Sequence, residues 1–130
     1  MKLTLGGAKR KADKAWSNSG REDAECEVCV TLPKSEWVSY TEVHPHHVIT
    51  KTNETLRWNV RNRCWLCHTH HEGGKKSAHK SKEWFMEWFR ETRPADYEHI
   101  RAVKNRVFKR VIKDYVKIAE ELSHDEKTNH

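Results

Sequence analysis

Two cysteine pairs, Cys26-x-x-Cys29 and Cys64-x-x-Cys67, constrain this chain more than any other feature. Four cysteines in a short chain suit either two disulfides or one metal ion. No apolar signal core follows Met1-Lys2-Leu3, and both pairs have the spacing of zinc knuckles. The reading is therefore a structural zinc on Cys26, Cys29, Cys64 and Cys67. The chain has need of such a staple. Its 130 residues are 35% hydrophobic and 34% charged, enough for one domain with a modest core.

Charge narrows the partner. Twenty-five basic against 19 acidic residues leave a formal charge of +6, which favours a polyanion. No run of about 18 apolar residues occurs, so no membrane span is expected and the protein should be soluble and intracellular.

Three parts of one α+β domain, mostly helical, are expected. Residues 1–20 form a basic arm, with a short helix over Lys9 to Ser17 whose inner face is Ala12, Ala15 and Trp16. The glycine pair Gly6-Gly7 should leave the first ten residues poorly ordered. Lys9, Arg10 and Lys11 can lie on phosphate or form a solvated face. Residues 21–93 hold the cysteines, short strands at 37–41 and 48–50, and a helix from about Ser81. The pairs Trp84/Trp88 and Phe85/Phe89 on that helix read as core, with base stacking as the other use. Residues 94–130 restart at Pro94 and run as one long basic amphipathic helix from Ala95 to Leu122. Its apolar stripe includes Ile100, Val103, Val107, Val111, Tyr115 and Leu122, and the tail after Ser123 should fray.

The stretch from Asn59 to His71 admits two registers. In the first, Cys64 and Cys67 complete the four-cysteine site, His68 follows directly, and Asn59 lies nine residues before His68. In the second, Cys67-x-x-His70 completes a site of three cysteines and one histidine, His71 follows, and Asn62 lies nine residues before His71. Either set satisfies tetrahedral zinc. The first uses every cysteine and makes two matching knuckles, and it is the register adopted.

His46-His47, Asn59 and His68, ordered around the knuckles, resemble the HNH endonuclease family of the C-x-x-C type. Its Asn-x4-Cys-x2-Cys-His segment is matched from Asn59 to His68. Leu56-Arg57-Trp58-Asn59 is similar to a segment of NinG-like phage recombination proteins. The likeness spans residues 26–89 and omits the last helix. It departs from the family at His46, where many members carry an acidic residue, and in its surplus of histidines. The resemblance implies a ββα-metal core, a site positioned by Asn59, and a second metal ion distinct from the zinc. That ion would be Mg²⁺, Mn²⁺, Ni²⁺ or Zn²⁺. It also implies phage or prophage DNA processing, packaging or recombination, in a bacterial cytoplasm.

The chemistry suits these residues. Hydrolysis of a phosphodiester needs an activated water, and neutral imidazole is a suitable base, which makes His47 the candidate. His46, one residue earlier on a strand-like turn, points to the other side and can ligate the catalytic ion, with His68 as its partner ligand. His71 or Glu72 would be a third. Arg57 is a candidate phosphate contact, or else stacks on an aromatic or pairs with a carboxylate. The expectation is a metal-dependent DNA endonuclease. The alternatives are a non-catalytic zinc-knuckle protein that binds nucleic acid and an accessory subunit of a phage DNA machine. The last helix can serve a homodimer or a phage partner protein.

Overall fold

The computed structural model describes the backbone of residues 2–128 and the side chains of 2–124. Met1, Asn129 and His130, the last two being the end of the expected tail, lie outside the described residues. The protein is α+β: helix α1 (Leu5–Asn18), strands β1 (His44–His47) and β2 (Arg63–Leu66), and helices α2 (Lys82–Thr92), α3 (Pro94–Val103) and α4 (Ile112–Thr128).

Helix α1 starts four residues before the expected position. Thr4 caps it, its hydroxyl accepting from the Gly7 amide at 3.0 Å, so the glycine pair sits in the first turn instead of breaking the chain. Gly20, at φ 75°, ends it from the left-handed region just past the cap.

The strands lie elsewhere than expected. Residues 37–41 and 48–50 form no strand; Val48 and Ile49 bond to Asn62. Trp37 donates its indole N–H to the Leu32 carbonyl, and the Tyr40 hydroxyl accepts from the Cys26 amide. These alternating aromatics thus tie a loop to the first knuckle. The ladder instead runs His44↔Leu66, Pro45↔Trp65, His46↔Cys64 and His47↔Arg63, antiparallel. Both strands of a two-stranded ribbon are edges, which is why Pro45 is tolerated within one.

The last helix is not continuous. After Val103 the chain turns and runs irregularly over 104–111, then re-enters helix at Ile112, where the Asp114 carboxylate accepts from the Val111 amide at 2.7 Å. The expected stripe is split accordingly. Ile100, Tyr115 and Leu122 are buried, while Val107 and Val111 face solvent. The break lets Tyr115 reach Trp58 in an edge contact, ring centroids 4.9 Å apart.

Two cores result. One packs the sheet and the cysteines against Phe85, Phe89 and Ile100, so the phenylalanine pair of α2 is core. The other joins α1, α4 and Trp58 through Ala8, Ala12, Trp16, Tyr115 and Leu122. Arg93, between α2 and α3, bonds Glu27, Asp96 and the carbonyls of Arg61 and Arg63, and so ties the first knuckle to β2 and α3. No helix among the described residues is long and apolar enough to cross a membrane.

Trp16 is 1% exposed and donates its indole N–H to the Asn59 carbonyl at 3.0 Å. Trp16→Ala should lower stability by about 3–5 kcal/mol, read as an earlier midpoint in urea denaturation. A wild-type midpoint would show that α1 is not part of the cooperative fold.

Candidate functional site

The cysteines assemble in the second register. The sulfurs of Cys26, Cys29 and Cys67 and a ring nitrogen of His70 lie within 4.8 Å of one another, all four residues buried. His70 Nδ1 stands 3.6, 3.4 and 3.3 Å from the three sulfurs. With Zn–S near 2.3 Å and Zn–N near 2.05 Å, the S···N edge of a tetrahedral site is about 3.6 Å. The donor set therefore fits, and the group can hold a structural metal such as zinc. Burial raises the Cys26 thiol, but hydrogen bonds from His70 and the backbone outweigh it and bring the group to about 6. Burial pushes Cys67 up to about 12, with the Cys26 and Cys29 sulfurs adding to the rise, a crowding that a cation among them would relieve.

Cys64 lies outside this group. It belongs to β2, opposite His46, and the strand residues Trp65 and Leu66 carry the chain roughly 10 Å from it to Cys67. A knuckle turn there would cost the ladder. His70, by contrast, sits one helical turn past Cys67. Burial holds the Cys64 thiol well above its ordinary range, as suits a neutral core residue.

The same segment builds a second group. Residues 69–73 form a wide helical turn, and the chain then doubles back, with the amides of Ala78 and His79 donating to the carbonyls of His70 and His71 at 2.8 and 3.0 Å. This return brings His79 to His71, their Nε2 atoms 3.1 Å apart, and both rings stand edge-on to His46. The three histidines offer ring nitrogens within 4.8 Å of one another. For two imidazoles on one tetrahedral zinc the N···N edge is about 3.3 Å, so this set also fits a metal. His71 Nδ1 is the only buried side-chain polar atom without a partner among the described residues. Burial lowers His46 to about 3 and, with His79 beside it, His71 to about 4, so both rings are neutral at physiological pH. A cavity of about 330 Å³ opens beside the group, with His46, His47, His79 and Lys82 on its wall.

His47 lies on the other face of β1. Its Nε2 donates to the Arg57 carbonyl at 3.0 Å, leaving the lone pair on Nδ1, and its ring stacks on Trp16 at 3.8 Å. Burial lowers its pKa. Asn59 and Asn62 differ in what they hold. Asn59 caps a short turn, accepting from the Arg61 amide, and meets His99 at 3.1 Å. Asn62 is fully buried; its carbonyl accepts from the Ile49 amide at 2.7 Å and its amide donates to the carbonyls of Ile49 and Leu56. Asn62 is thus the staple that closes the loop between the strands.

The remaining expected residues are spent elsewhere. His68 has its side chain 67% exposed, beside Glu72 at 3.6 Å, and is outside the histidine group. Glu72 is likewise outside it. Arg57 makes a two-pronged pair with Asp13 at 3.0 and 2.7 Å, and Lys9 pairs with Glu54 at 2.8 Å. Arg10 and Lys11 are exposed on α1. By sequence His79 falls among the surplus histidines and reads, with His44 and His70, as surface; its one further signal is its place after Gly73-Gly74, where a doubled-back chain returns. Compared with family models, curated proteins and solved structures, the chain matches none.

Zinc content separates the registers. His70→Ala and Cys67→Ala should lose the bound equivalent, whereas Cys64→Ala should retain it; loss from Cys64→Ala alone would reverse the assignment. Asn62→Ala should cost about 2–4 kcal/mol in denaturant melts, because it strands the buried Ile49 amide. Asn59→Ala removes a cap and should cost about 1 kcal/mol.

Proposed function

We propose that the protein is a metal-dependent DNA endonuclease of the HNH, ββα-metal type, working in the register of Asn62, Cys67, His70 and His71. The observation that supports it is the pairing of a closed donor set with an open one. The Cys26–Cys29–Cys67–His70 group is fully buried, whereas His46, His71 and His79 are half-buried or exposed, and His46 and His79 line a cavity. Structural zinc sites are closed and catalytic ones keep a position free. A zinc-knuckle protein that only binds nucleic acid has no use for the second set.

Roles follow from position. His46, His71 and His79 would hold a divalent ion, which when bound supplies a Lewis acid to a phosphate oxygen and to the departing oxygen. His47, with its Nε2–H committed to the Arg57 carbonyl, presents Nδ1 as the acceptor for a proton from water. Trp16 fixes the plane of that ring from one side. Arg57 is a positioning residue: Asp13 holds its side chain, and its carbonyl orients His47. Asn62 closes the loop that carries both. The segment from Leu56 to Asn59, similar to NinG-like proteins, supports a phage or prophage setting.

Plasmid cleavage tests the reading. Zinc-loaded wild type should nick or linearise supercoiled DNA when Mg²⁺, Mn²⁺ or Ni²⁺ is added. His46→Ala, His71→Ala and His79→Ala should each be at least about a hundredfold slower, the scale of removing one oriented metal ligand. His47→Ala should also fall by about a hundredfold or more, and His68→Ala should cut as wild type does. A shift in plasmid mobility with no cleavage in any metal would instead mark a nucleic-acid-binding protein.

A further inference from the structure

The segment 104–111, between α3 and α4, is irregular yet anchored. Asn53 Nδ2 donates to the Lys104 carbonyl at 2.8 Å, the Thr55 hydroxyl to the Arg106 carbonyl, and Arg110 Nη1 to the Glu54 carbonyl at 2.8 Å. The Arg110 guanidinium also lies over the rings of Trp58 and Phe108, at 5.5 and 5.3 Å. The backbone is therefore strapped to the loop between β1 and β2. At its tip Val107 is 88% exposed and Phe108, partly under Arg110, is 53% exposed. Lys104, Arg106 and Lys109 are exposed, and none forms an ion pair among the described residues.

A fixed strap with an apolar tip between cations implies something that covers both. Charge selects the cover. A second copy of the chain would set like charges face to face, whereas a polyanion neutralises them. The tip selects the kind of polyanion. Single strands are bound on successive rings, and Phe108 is the one ring on the strap. An apolar pair flanked by cations is instead the pattern of a wedge, which presses on a base step of a duplex while the cations hold phosphates.

We propose that the strap 104–111 is a contact for duplex DNA, with Lys104, Arg106 and Lys109 on the phosphates and Val107-Phe108 against a base step in the minor groove. The proposal rests on the reading that the chain acts on DNA. The loop that lines the cavity at Val48 to Thr50 continues into Asn53 and Thr55, so strap and cavity share one support.

The test is fluorescence anisotropy of a short labelled duplex with the zinc-loaded full chain and no added divalent ion, so that cleavage does not enter. Replacing Lys104, Arg106 and Lys109 by Gln together should weaken binding at least about tenfold. It should also flatten the salt dependence by roughly 0.9 in log–log slope for each phosphate no longer neutralised. Val107→Ser with Phe108→Ser should weaken binding without changing that slope. Circular dichroism confirms that each variant is folded. Wild-type affinity and slope in the triple variant would overturn the proposal, as would tighter binding of the single strand than of the duplex. A wild-type dimer that the Val107→Ser, Phe108→Ser pair dissociates, with DNA affinity unchanged, would overturn it too and assign the strap to a second copy. Duplex binding through the strap by a protein that never cuts would uphold the strap's role while defeating the nuclease reading.

Discussion

Among the described residues, each candidate metal group takes a residue placed by the short ladder between β1 and β2: His46 on β1, and Cys67 directly after β2. The register sets His46 opposite Cys64 and His47 opposite Arg63, and side chains in strands alternate, so neighbouring histidines are sent to opposite faces. His46 goes to the histidine group and His47 to Trp16. At the far end of β2, Cys67 is the first residue free to turn, and it enters the sulfur-rich group. At the near end, Asn62 closes the connecting loop. A slip of one residue would exchange the faces of His46 and His47 and dismantle both groups. Two strands alone are marginal in water. Here the packing of Phe85, Phe89 and Ile100 on one side and the metal-type group on the other hold the register.

Helices α1 and α4, both outside the resemblance, are as closely involved as the strands. Helix α1 brings Asp13 and Trp16 to the loop, where Asp13 takes both prongs of Arg57 and the indole N–H of Trp58. Helix α4 covers the other side of Trp58 with Tyr115. Together they clamp residues 57–59, whose carbonyls receive His47 and Trp16. The His47 ring, stacked on Trp16 and hydrogen-bonded through one nitrogen, is held in one orientation. The basic residues Lys9 and Arg57 are consumed by this clamp, which leaves the exposed cations of the 104–111 strap as the better match to a polyanion.

The α+β class, the helix at Ser81 and the metal chemistry of the cysteines were legible in the sequence, because cysteine spacing and helical period are local signals. The ligand set was not. Counting cysteines favoured a four-sulfur site, and only the pairing of Cys64 with His46 across the ladder, a non-local fact, removes Cys64 from it. In the proposed register the loop staple is Asn62 in place of Asn59, and the candidate ligand is His71 in place of His68. The unbroken apolar stripe from Ile100 to Leu122 misled in a different way. Its period fits one helix, yet Tyr115 and Leu122 gain more by packing on Trp58 and α1 than a continuous helix would allow, and the break exposes Val107 as the cost.

The adjacency of His70 and His71 links the two groups. One histidine faces the sulfurs and the next faces His46 and His79, on the same wide turn, with backbone bonds from Ala78 and His79 gripping both carbonyls. A cation among Cys26, Cys29, Cys67 and His70 fixes that turn, because the ligands cannot rotate without breaking the site. It thereby fixes the direction of His71 and, through the returning strand of backbone, of His79. The closed group is then more than a staple for a small core. With an ion bound, it would be the support that keeps the three imidazoles of the proposed open group converging.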